Sequence, residues 1–167
     1  MDHFLYRDGV LHAEDVPLPE IAAAVGTPVY VYSAAMLIRH LGLFEEALSG
    51  LPHLACFSVK SLGNVAVLKL LGDRGAGMDI VSEGEYRRAR AAGVPGDRIV
   101  FSGVGKTRAE MRTAIEGGIR QVNLESENEM RALSEVAAGM GAEVPVTIRV
   151  HPDVDAKTHA KLATGKS

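Results

Sequence analysis

"GAGMDIVSEGEYRRARAAGVPGDRIVFSGVGKT" (residues 75–107) contains one complete unit of the pattern that decides the fold. Apolar, strand-like runs at 77–82 and 98–103 flank a helical segment whose apolar residues are three and four positions apart. A serine with a glutamate three positions later forms a capping-box pattern before the helix, and a glycine follows its end (Ser82, Glu85 and Gly93). Strand, helix and strand in this order predict a βα repeat with parallel strands.

The same unit recurs about every 23 residues from residue 54 onward. The predicted strands are 54–60, 77–82, 98–103, 121–126 and 144–150. The predicted helices are Val65–Arg74, Glu83–Ala92, Arg108–Glu116 and Glu127–Met140. Further capping boxes are expected at Thr107 with Glu110 and at Ser126 with Glu129, and Asn64 is expected to cap its helix.

Unit length alone does not separate a doubly wound sheet from a (β/α)8 barrel. The constant period, without a glycine-rich dinucleotide turn, favours the barrel. Only five barrel strands are present, whereas an eight-stranded barrel needs about 250 residues. We therefore predict an α/β fold with a partial TIM-type barrel of about five of the eight strands, and interpret the chain as the front part of a longer protein; an open sheet is the alternative.

Composition excludes several classes of protein. With 47% hydrophobic and 23% charged residues and a formal charge of −3, the chain is typical of a globular protein and unsuited to nucleic acid. The uncharged run 21–38 is interrupted by Gly26, Thr27 and Pro28, so we predict a helix, the strand PVYVY (28–32) and a new helix capped by Ser33, not a membrane span. No secretory signal is recognised, and the single cysteine, Cys56, suits a reducing compartment, so a cytoplasmic location is expected.

Polar residues lie at the carboxyl ends of the predicted strands, where parallel α/β folds place their chemistry. Lys60 ends the first barrel strand, and its amine is either a solvated loop group or a nucleophile toward an aldehyde. Asp79, within a buried strand, needs a partner, for which Lys60 is the candidate, in a structural or a catalytic pair. The capping box already explains Glu85, and Arg149 could be an interior charge tied to Glu125.

Two other motifs are set aside. "SGVGKT" (102–107) looks like the end of a phosphate-binding loop, but Val100 stands where that motif needs its first glycine, so a glycine-rich turn explains it. The six histidines show no metal-ligand spacing, and we predict no metal.

Several stretches together resemble the diaminopimelate decarboxylase branch of the pyridoxal-phosphate-dependent enzymes with an alanine-racemase-like barrel. They are CFSVKSLGNVAVLKLL, GAGMDIVSEGEYRRARAAGVPGDRIVFSGVGKT, VNLESENEM and IRVHPDVDAKTHAKLATGKS. Two departures are visible. The family's Tyr-Ala-Val-Lys-Ala-Asn motif reads Phe-Ser-Val-Lys-Ser-Leu at 57–62, and His151 replaces the usual asparagine.

The resemblance implies a role for each candidate. Lys60 would be the catalytic residue that holds pyridoxal 5'-phosphate covalently, and Asp79, Glu85 and Arg149 would line the cofactor site. The reaction would convert meso-diaminopimelate, a small amino-acid substrate, to L-lysine and carbon dioxide. Residues 1–33, including PVYVY, would be associated with a β-rich domain, and 34–167 would form an incomplete pyridoxal-phosphate-binding barrel.

The family is roughly two and a half times as long as this chain. The resemblance therefore implies that the phosphate-binding loop and the carboxylate facing the pyridine nitrogen lie beyond residue 167, and that the longer form is a homodimer. We expect the 167-residue chain alone to be inactive, and either unstable or dependent on further protein. Two alternatives stay open: a non-catalytic half that assembles with a carboxyl-terminal partner, and a related amino-acid decarboxylase or cofactor carrier on the same barrel.

Overall fold

The computed structural model describes residues 3–150. It begins with a small antiparallel sheet in the order β1-β2-β3, whose strands are Phe4–Arg7, Val10–Ala13 and Val16–Pro17. Two helices follow, α1 (Leu18–Val25) and α2 (Ala34–Ala47). The Ser33 hydroxyl accepts a hydrogen bond from the amide of Met36 and so caps α2, as predicted.

The remaining elements alternate strand and helix. The strands are β4 (Cys56–Ser58), β5 (Gly77–Ile80), β6 (Ile99–Phe101), β7 (Gln121–Leu124) and β8 (Val146–Ile148). The helices are α3 (Val65–Gly72), α4 (Glu83–Ala91), α5 (Arg108–Glu116) and α6 (Glu127–Met140). All four neighbouring strand pairs are parallel, in the order β4-β5-β6-β7-β8, so the predicted partial barrel with five strands is confirmed.

The hydrophobic core lies between this sheet and its helices. Alternate strand residues point to opposite faces, and one set is almost fully buried: Met78, Ile80, Ile99, Phe101, Val122 and Leu124. The helices contribute Leu68, Leu71, Met111, Ala114 and Leu133 to the same core. Full burial of each large side chain contributes about 1.5–3 kcal/mol. The opposite face of the strands, which points away from this core, carries polar residues.

The segment 28–32 corrects the sequence prediction. It was predicted to be a strand, but it forms no strand, and the Tyr30 side chain is 88% exposed. A strand is defined by its hydrogen-bonding neighbour, and neither sheet within residues 3–150 places a strand beside this segment. The assignment of residues 1–33 to a β-rich domain stays a prediction.

The helix caps agree with the sequence in part. Asn64, Ser82, Thr107 and Ser126 each accept a hydrogen bond from the first turn of their helices. Only Thr107 and Glu110 form the full capping box, whereas Glu85 and Glu129 accept from the amides preceding the caps, those of Val81 and Glu125. The reason is the backbone of the cap: φ is −84° at Thr107 but −157° at Ser82 and −158° at Ser126, which changes the direction of the cap's own N–H.

No helix within residues 3–150 combines the length and the apolar character needed to cross a bilayer. In the same range, no three or more His, Cys, Asp or Glu side chains are grouped so that they could hold a metal ion.

Candidate active site

A cavity of about 450 Å³ opens on the polar face of the sheet, toward the carboxyl ends of the strands. It is lined by Lys60, Asp79, Ser102, Gln121, Asn123, Glu125, Thr147 and Arg149. Three of the four predicted site residues, Lys60, Asp79 and Arg149, therefore line one cavity. Glu85 lies in an adjacent cavity of about 500 Å³, to which Lys60 also contributes.

Lys60 lies in a single 3₁₀ turn, Val59–Ser61, directly after β4, and not within the strand as predicted. The turn is held at both ends, because the Val59 side chain is 1% exposed and the Ser61 hydroxyl donates to the Ser58 carbonyl at 2.6 Å. Lys60 itself is exposed. Its Nζ makes no hydrogen bond or ion pair with residues 3–150, so a fixed turn presents a free amine to both cavities.

The partners of Asp79 differ from the expectation. Its Oδ1 accepts from the Ser102 hydroxyl at 2.5 Å and its Oδ2 accepts from the Ser58 hydroxyl at 3.4 Å. Within the described chain no ion pair joins Asp79 to Lys60, which the sequence had offered as its partner. Strand register explains the difference: Ser58 lies opposite Asp79 on β4, while Lys60 has already left the strand in the 3₁₀ turn.

Hydrogen bonds continue from Asp79 across the sheet. The Asn123 side-chain amide donates to the Ser102 hydroxyl oxygen at 2.9 Å. The Gln121 amide donates to the Asn123 carbonyl oxygen at 2.8 Å and to the Thr147 hydroxyl at 3.1 Å. We call this set the polar row; it consists of Ser58, Asp79, Ser102, Asn123, Gln121 and Thr147, of which all are strand residues except Ser102, which directly follows β6.

Arg149 forms the predicted contact with Glu125. Its Nη1 donates to both carboxylate oxygens, at 3.0 and 3.2 Å, and the Glu125 side chain is 6% exposed. Burial raises the pKa of Glu125, but hydrogen bonding and charge from Arg149, the Gly103 amide and the Lys106 charge lower it more, so the net pKa lies below its usual range. The other side-chain N–H groups of Arg149 have no hydrogen-bond partner within residues 3–150 and are free to donate to an anion.

Glu85 is held by the backbone. One carboxylate oxygen accepts from the Val81 amide at 2.8 Å, and the Glu85 amide donates to the Ser82 hydroxyl at 3.3 Å. Together these bonds fix the turn between β5 and α4 beside Lys60. The role of Glu85 toward the cofactor stays a prediction.

Sequence reasoning missed Lys106. Its side chain is completely buried, and its ammonium donates to the Gly103 carbonyl at 2.5 Å, the Asn123 carbonyl at 2.9 Å and Glu129 at 2.5 Å. Its Nζ also lies 5.6 Å from the centre of the Phe101 ring. The rejection of a phosphate loop for SGVGKT is consistent with this structure, because all three ammonium N–H groups already have protein acceptors. The sequence signal for this buried role was the position of the lysine between a glycine-rich turn and a helix cap.

Cys56 stands on β4, one strand from Asp79. Burial raises the pKa of its thiol, the negative charge of Asp79 raises it further, and Arg120 opposes them. The thiol is therefore held in its protonated form, in which a half-buried cysteine behaves as a small hydrophobic group.

These residues fit a pyridoxal cofactor. A free amine, Lys60, and a partly free guanidinium, Arg149, face a cavity whose volume lies within the range of small-molecule sites. The Asp79 carboxylate lines the same cavity and is held there by the Ser102 hydroxyl. Such a set can bind an aldehyde covalently and balance an anionic substituent.

Comparison with known proteins defines the class. Residues 34–167 match the family model of the pyridoxal-binding domain of pyridoxal-dependent decarboxylases. The chain belongs to this family, and the cofactor of the family is a pyridoxal.

The named relatives belong to one branch of this family. The chain is 51% identical over 165 residues to diaminopimelate decarboxylase of Pseudomonas aeruginosa, covering 99% of this chain and 40% of that protein. It is 46% identical to diaminopimelate decarboxylase of Haemophilus influenzae, with the same coverage. These similarities confirm the resemblance, and the chain spans about 40% of the length of these curated relatives.

Solved structures agree with the fold. Diaminopimelate decarboxylase from M. jannaschii, in co-complex with L-lysine, superposes with a TM-score of 0.88 at 32% identity, covering 98% of this chain and 39% of that one. The lysine/ornithine decarboxylase of Vibrio vulnificus, complexed with cadaverine, gives 0.69 at 20% identity over 80% of this chain and 35% of its own, and shows the fold alone.

Proposed function

We propose that the protein catalyses the pyridoxal-phosphate-dependent decarboxylation of meso-diaminopimelate to L-lysine and carbon dioxide. The observation that carries this proposal is the free Lys60 amine at the polar cavity of a pyridoxal-binding domain. The substrate class is supported by the names of the relatives, which are diaminopimelate decarboxylases at about half identity across this chain.

Lys60 is the residue that binds the cofactor aldehyde. A neutral amine is the nucleophile in such a step. Since no carboxylate within residues 3–150 pairs with Nζ, the amine can reach the cofactor aldehyde without breaking an ion pair. The buried Val59 keeps the base of the side chain fixed, so the amine reaches the cavity from a rigid turn.

The other three predicted residues bind and orient the cofactor. Arg149 is held at one nitrogen by Glu125 and offers its remaining N–H groups to an anionic substituent. Asp79 presents negative charge beside the cavity, and Glu85 fixes the turn that borders Lys60. When bound, pyridoxal phosphate supplies an electron sink for the pair left by the departing carboxylate.

The setting of the enzyme is part of the proposal. We infer a cytoplasmic homodimer, supported by the single cysteine and by the two edges of the parallel sheet that are unpaired within residues 3–150. Activity has to be measured on the full-length enzyme, by which we mean this chain together with the segment that covers the rest of its relatives' length.

The test uses the absorption of the bound cofactor. Full-length enzyme incubated with pyridoxal phosphate and then freed of unbound cofactor is expected to show a band near the edge of the visible range, and Lys60→Ala abolishes it, because the covalent link to this amine is lost. Lys69→Ala, at an exposed lysine on α3, is the matched control and retains the band. A Lys60→Ala enzyme with an unchanged band would refute the assignment.

The substrate is tested separately. Carbon dioxide release is measured from meso-diaminopimelate, ornithine and lysine at equal concentration, and release from the first is expected to dominate. Release from ornithine alone would move the protein to another branch of the family. A bound cofactor with no release from any of them would favour a cofactor carrier.

A further inference from the structure

The polar row carries one negative charge, and the count of protons fixes the direction of its hydrogen bonds. The ionised Asp79 has no proton to donate, so the single hydroxyl proton of Ser102 must point to Asp79 at 2.5 Å. The Ser102 oxygen then acts as an acceptor, and it is Asn123 that donates to it. The charge on β5 thereby determines the orientation of Ser102, directly after β6, and of Asn123 on β7.

The same reasoning continues along the row. Because the Asn123 amide nitrogen is committed to Ser102, its carbonyl oxygen faces Gln121 and accepts from it at 2.8 Å. The second proton of the Gln121 amide goes to the Thr147 hydroxyl at 3.1 Å. The Asn123 amide and the Ser102 hydroxyl therefore both donate in the direction of Asp79.

Asp79 is held from the opposite side as well. Ser58, directly across from it on β4, directs its hydroxyl to the second carboxylate oxygen. The bond from Ser102 is much shorter than the bond from Ser58, 2.5 against 3.4 Å, so Ser102 is the stronger constraint. The carboxylate is therefore fixed in one rotamer on the wall of the cavity that Lys60 and Arg149 also line.

We propose that Ser102 and Asn123 are positioning residues for the decarboxylation: they hold the Asp79 carboxylate in one orientation toward the cofactor cavity. This inference rests on the proposed function. Neither residue needs to touch the substrate, since both act through Asp79. A loss of the Ser102 hydroxyl leaves the carboxylate free to rotate and removes the acceptor of Asn123, so the disturbance spreads along the row.

The experiment is a double-mutant cycle between Ser102→Ala and Asp79→Asn in the full-length enzyme with pyridoxal phosphate. Ser102→Ala is expected to lower kcat about tenfold, the effect of one hydrogen bond to a charged group, with KM for the amino acid nearly unchanged. It is also expected to alter the circular dichroism of the bound cofactor. In the Asp79→Asn background, Ser102→Ala is expected to cause no further change in either quantity, because the charged carboxylate that Ser102 orients is already gone.

Two controls separate positioning from general stability. Ser134→Ala removes a hydroxyl from the exposed face of α6, away from the cavity, and is expected to behave like the parent. Ser102→Thr keeps the hydroxyl and is expected to restore most of the lost kcat and the parent dichroism. If Ser102→Ala does not fold, Asn123→Leu takes its place in the cycle, with the same non-additivity and a smaller loss expected.

The outcomes are distinct. A parent enzyme without a Lys60-dependent band overturns the proposed function and this inference together. A normal parent band, with Ser102→Ala indistinguishable from Ser134→Ala, overturns this inference alone. So does an effect of Ser102→Ala that persists undiminished in the Asp79→Asn background.

Discussion

Lys60 and Lys106 both follow strands of the same sheet, but their ammonium groups meet opposite surroundings. Lys106 is fully buried and donates to two backbone carbonyls and to Glu129. Lys60 is exposed and has no hydrogen-bond partner within residues 3–150. A lysine whose three N–H groups are occupied is structural, whereas one that projects freely into a polar cavity is able to react. Residue type alone does not separate these roles.

The buried ion pair between Lys106 and Glu129 is expected to contribute much more to the free energy of unfolding than an exposed ion pair. Lys106→Met leaves Glu129, 9% exposed, without its partner, so we expect the free energy of unfolding of the full-length enzyme to fall by about 3–5 kcal/mol. Denaturant unfolding measures this loss. The double variant Lys106→Met with Glu129→Gln is expected to lose less than the sum of the two single changes.

Lys69→Met provides the control for that prediction. Lys69 forms an exposed ion pair with Asp73 at 3.0 Å, one helical turn away, and its removal is expected to cost about 0.5 kcal/mol or less. Equal losses for Lys69→Met and Lys106→Met would show that the ammonium at position 106 is not held as described.

At the scale of elements, the helix N-termini are linked to one another. Glu110 completes the capping box of α5 through Thr107 and also accepts from the Glu83 amide at the start of α4, at 3.0 Å. Its pKa lies below the usual range because the Thr107 and Glu83 N–H groups bond the ionised form, with help from the Thr107 hydroxyl and against the effect of burial. One carboxylate therefore satisfies free amides of two neighbouring helices.

This arrangement predicts a pH-dependent contribution to stability. Because folding lowers the pKa of Glu110, its contribution is present above the unfolded value, about 4.3, and is lost as the pH falls through the folded value. Glu110→Gln is expected to lower the free energy of unfolding by about 1 kcal/mol at neutral pH, and the difference from the parent shrinks toward zero in acid. Unfolding curves measured at several pH values test both statements.

Glu143→Gln is the matched control for Glu110→Gln. Glu143 is exposed and has no hydrogen-bond partner within residues 3–150, so its replacement is expected to change stability little at any pH. A Glu110→Gln difference that persists unchanged in acid would contradict the role assigned to the carboxylate.

The elements also show what the sequence could predict. The bounds of α5 and α6 agree with the prediction, because a capping residue at one end and glycine at the other are local signals. β4 was predicted to continue to Lys60, but it ends at Ser58, where the burial of Val59 turns the chain. That burial depends on the packed core and not on the neighbouring residues.

The residues of the candidate site were also predicted only in part. Lys60, Asp79 and Arg149 were found because polar residues at strand ends are visible in the sequence. The polar row was not, since its members are brought together by register: Ser58 faces Asp79 and Asn123 faces Thr147 across neighbouring strands. Parallel strands are joined by long crossovers, so no short-range pattern encodes which residues lie opposite each other.

At the scale of the whole molecule, the parallel sheet has two unpaired edges within residues 3–150. β4 and β8 each pair on one side only. Beside β4 lies an apolar groove of about 490 Å³ lined largely by α2 and β4, including Leu37, Leu41, Phe44 and Phe57. Along β8, Val146 and Ile148 are 49% and 70% exposed. Exposed apolar edges of this kind pair with other chains.

The 167-residue polypeptide, produced without any further segment, is therefore expected to associate. Each large apolar side chain covered on association contributes about 1.5–3 kcal/mol, and an open strand offers backbone hydrogen bonds as well. Size-exclusion chromatography should give a mass above that of one 17.7 kDa chain, rising with concentration. A dye that binds exposed apolar surface should fluoresce with it, and the full-length enzyme should show neither concentration dependence nor strong dye binding.

A variant of the β8 edge identifies the surface responsible. Ile148→Lys places a charge on the exposed edge strand, which opposes pairing with another chain, and it is expected to lower the apparent mass of the polypeptide. Arg87→Lys, at an exposed residue of α4, a helix that packs against β5, keeps its charge and is expected to leave the mass unchanged. A parent polypeptide that elutes as a monomer and melts cooperatively would contradict the prediction, because it would show that five strands suffice for a stable unit.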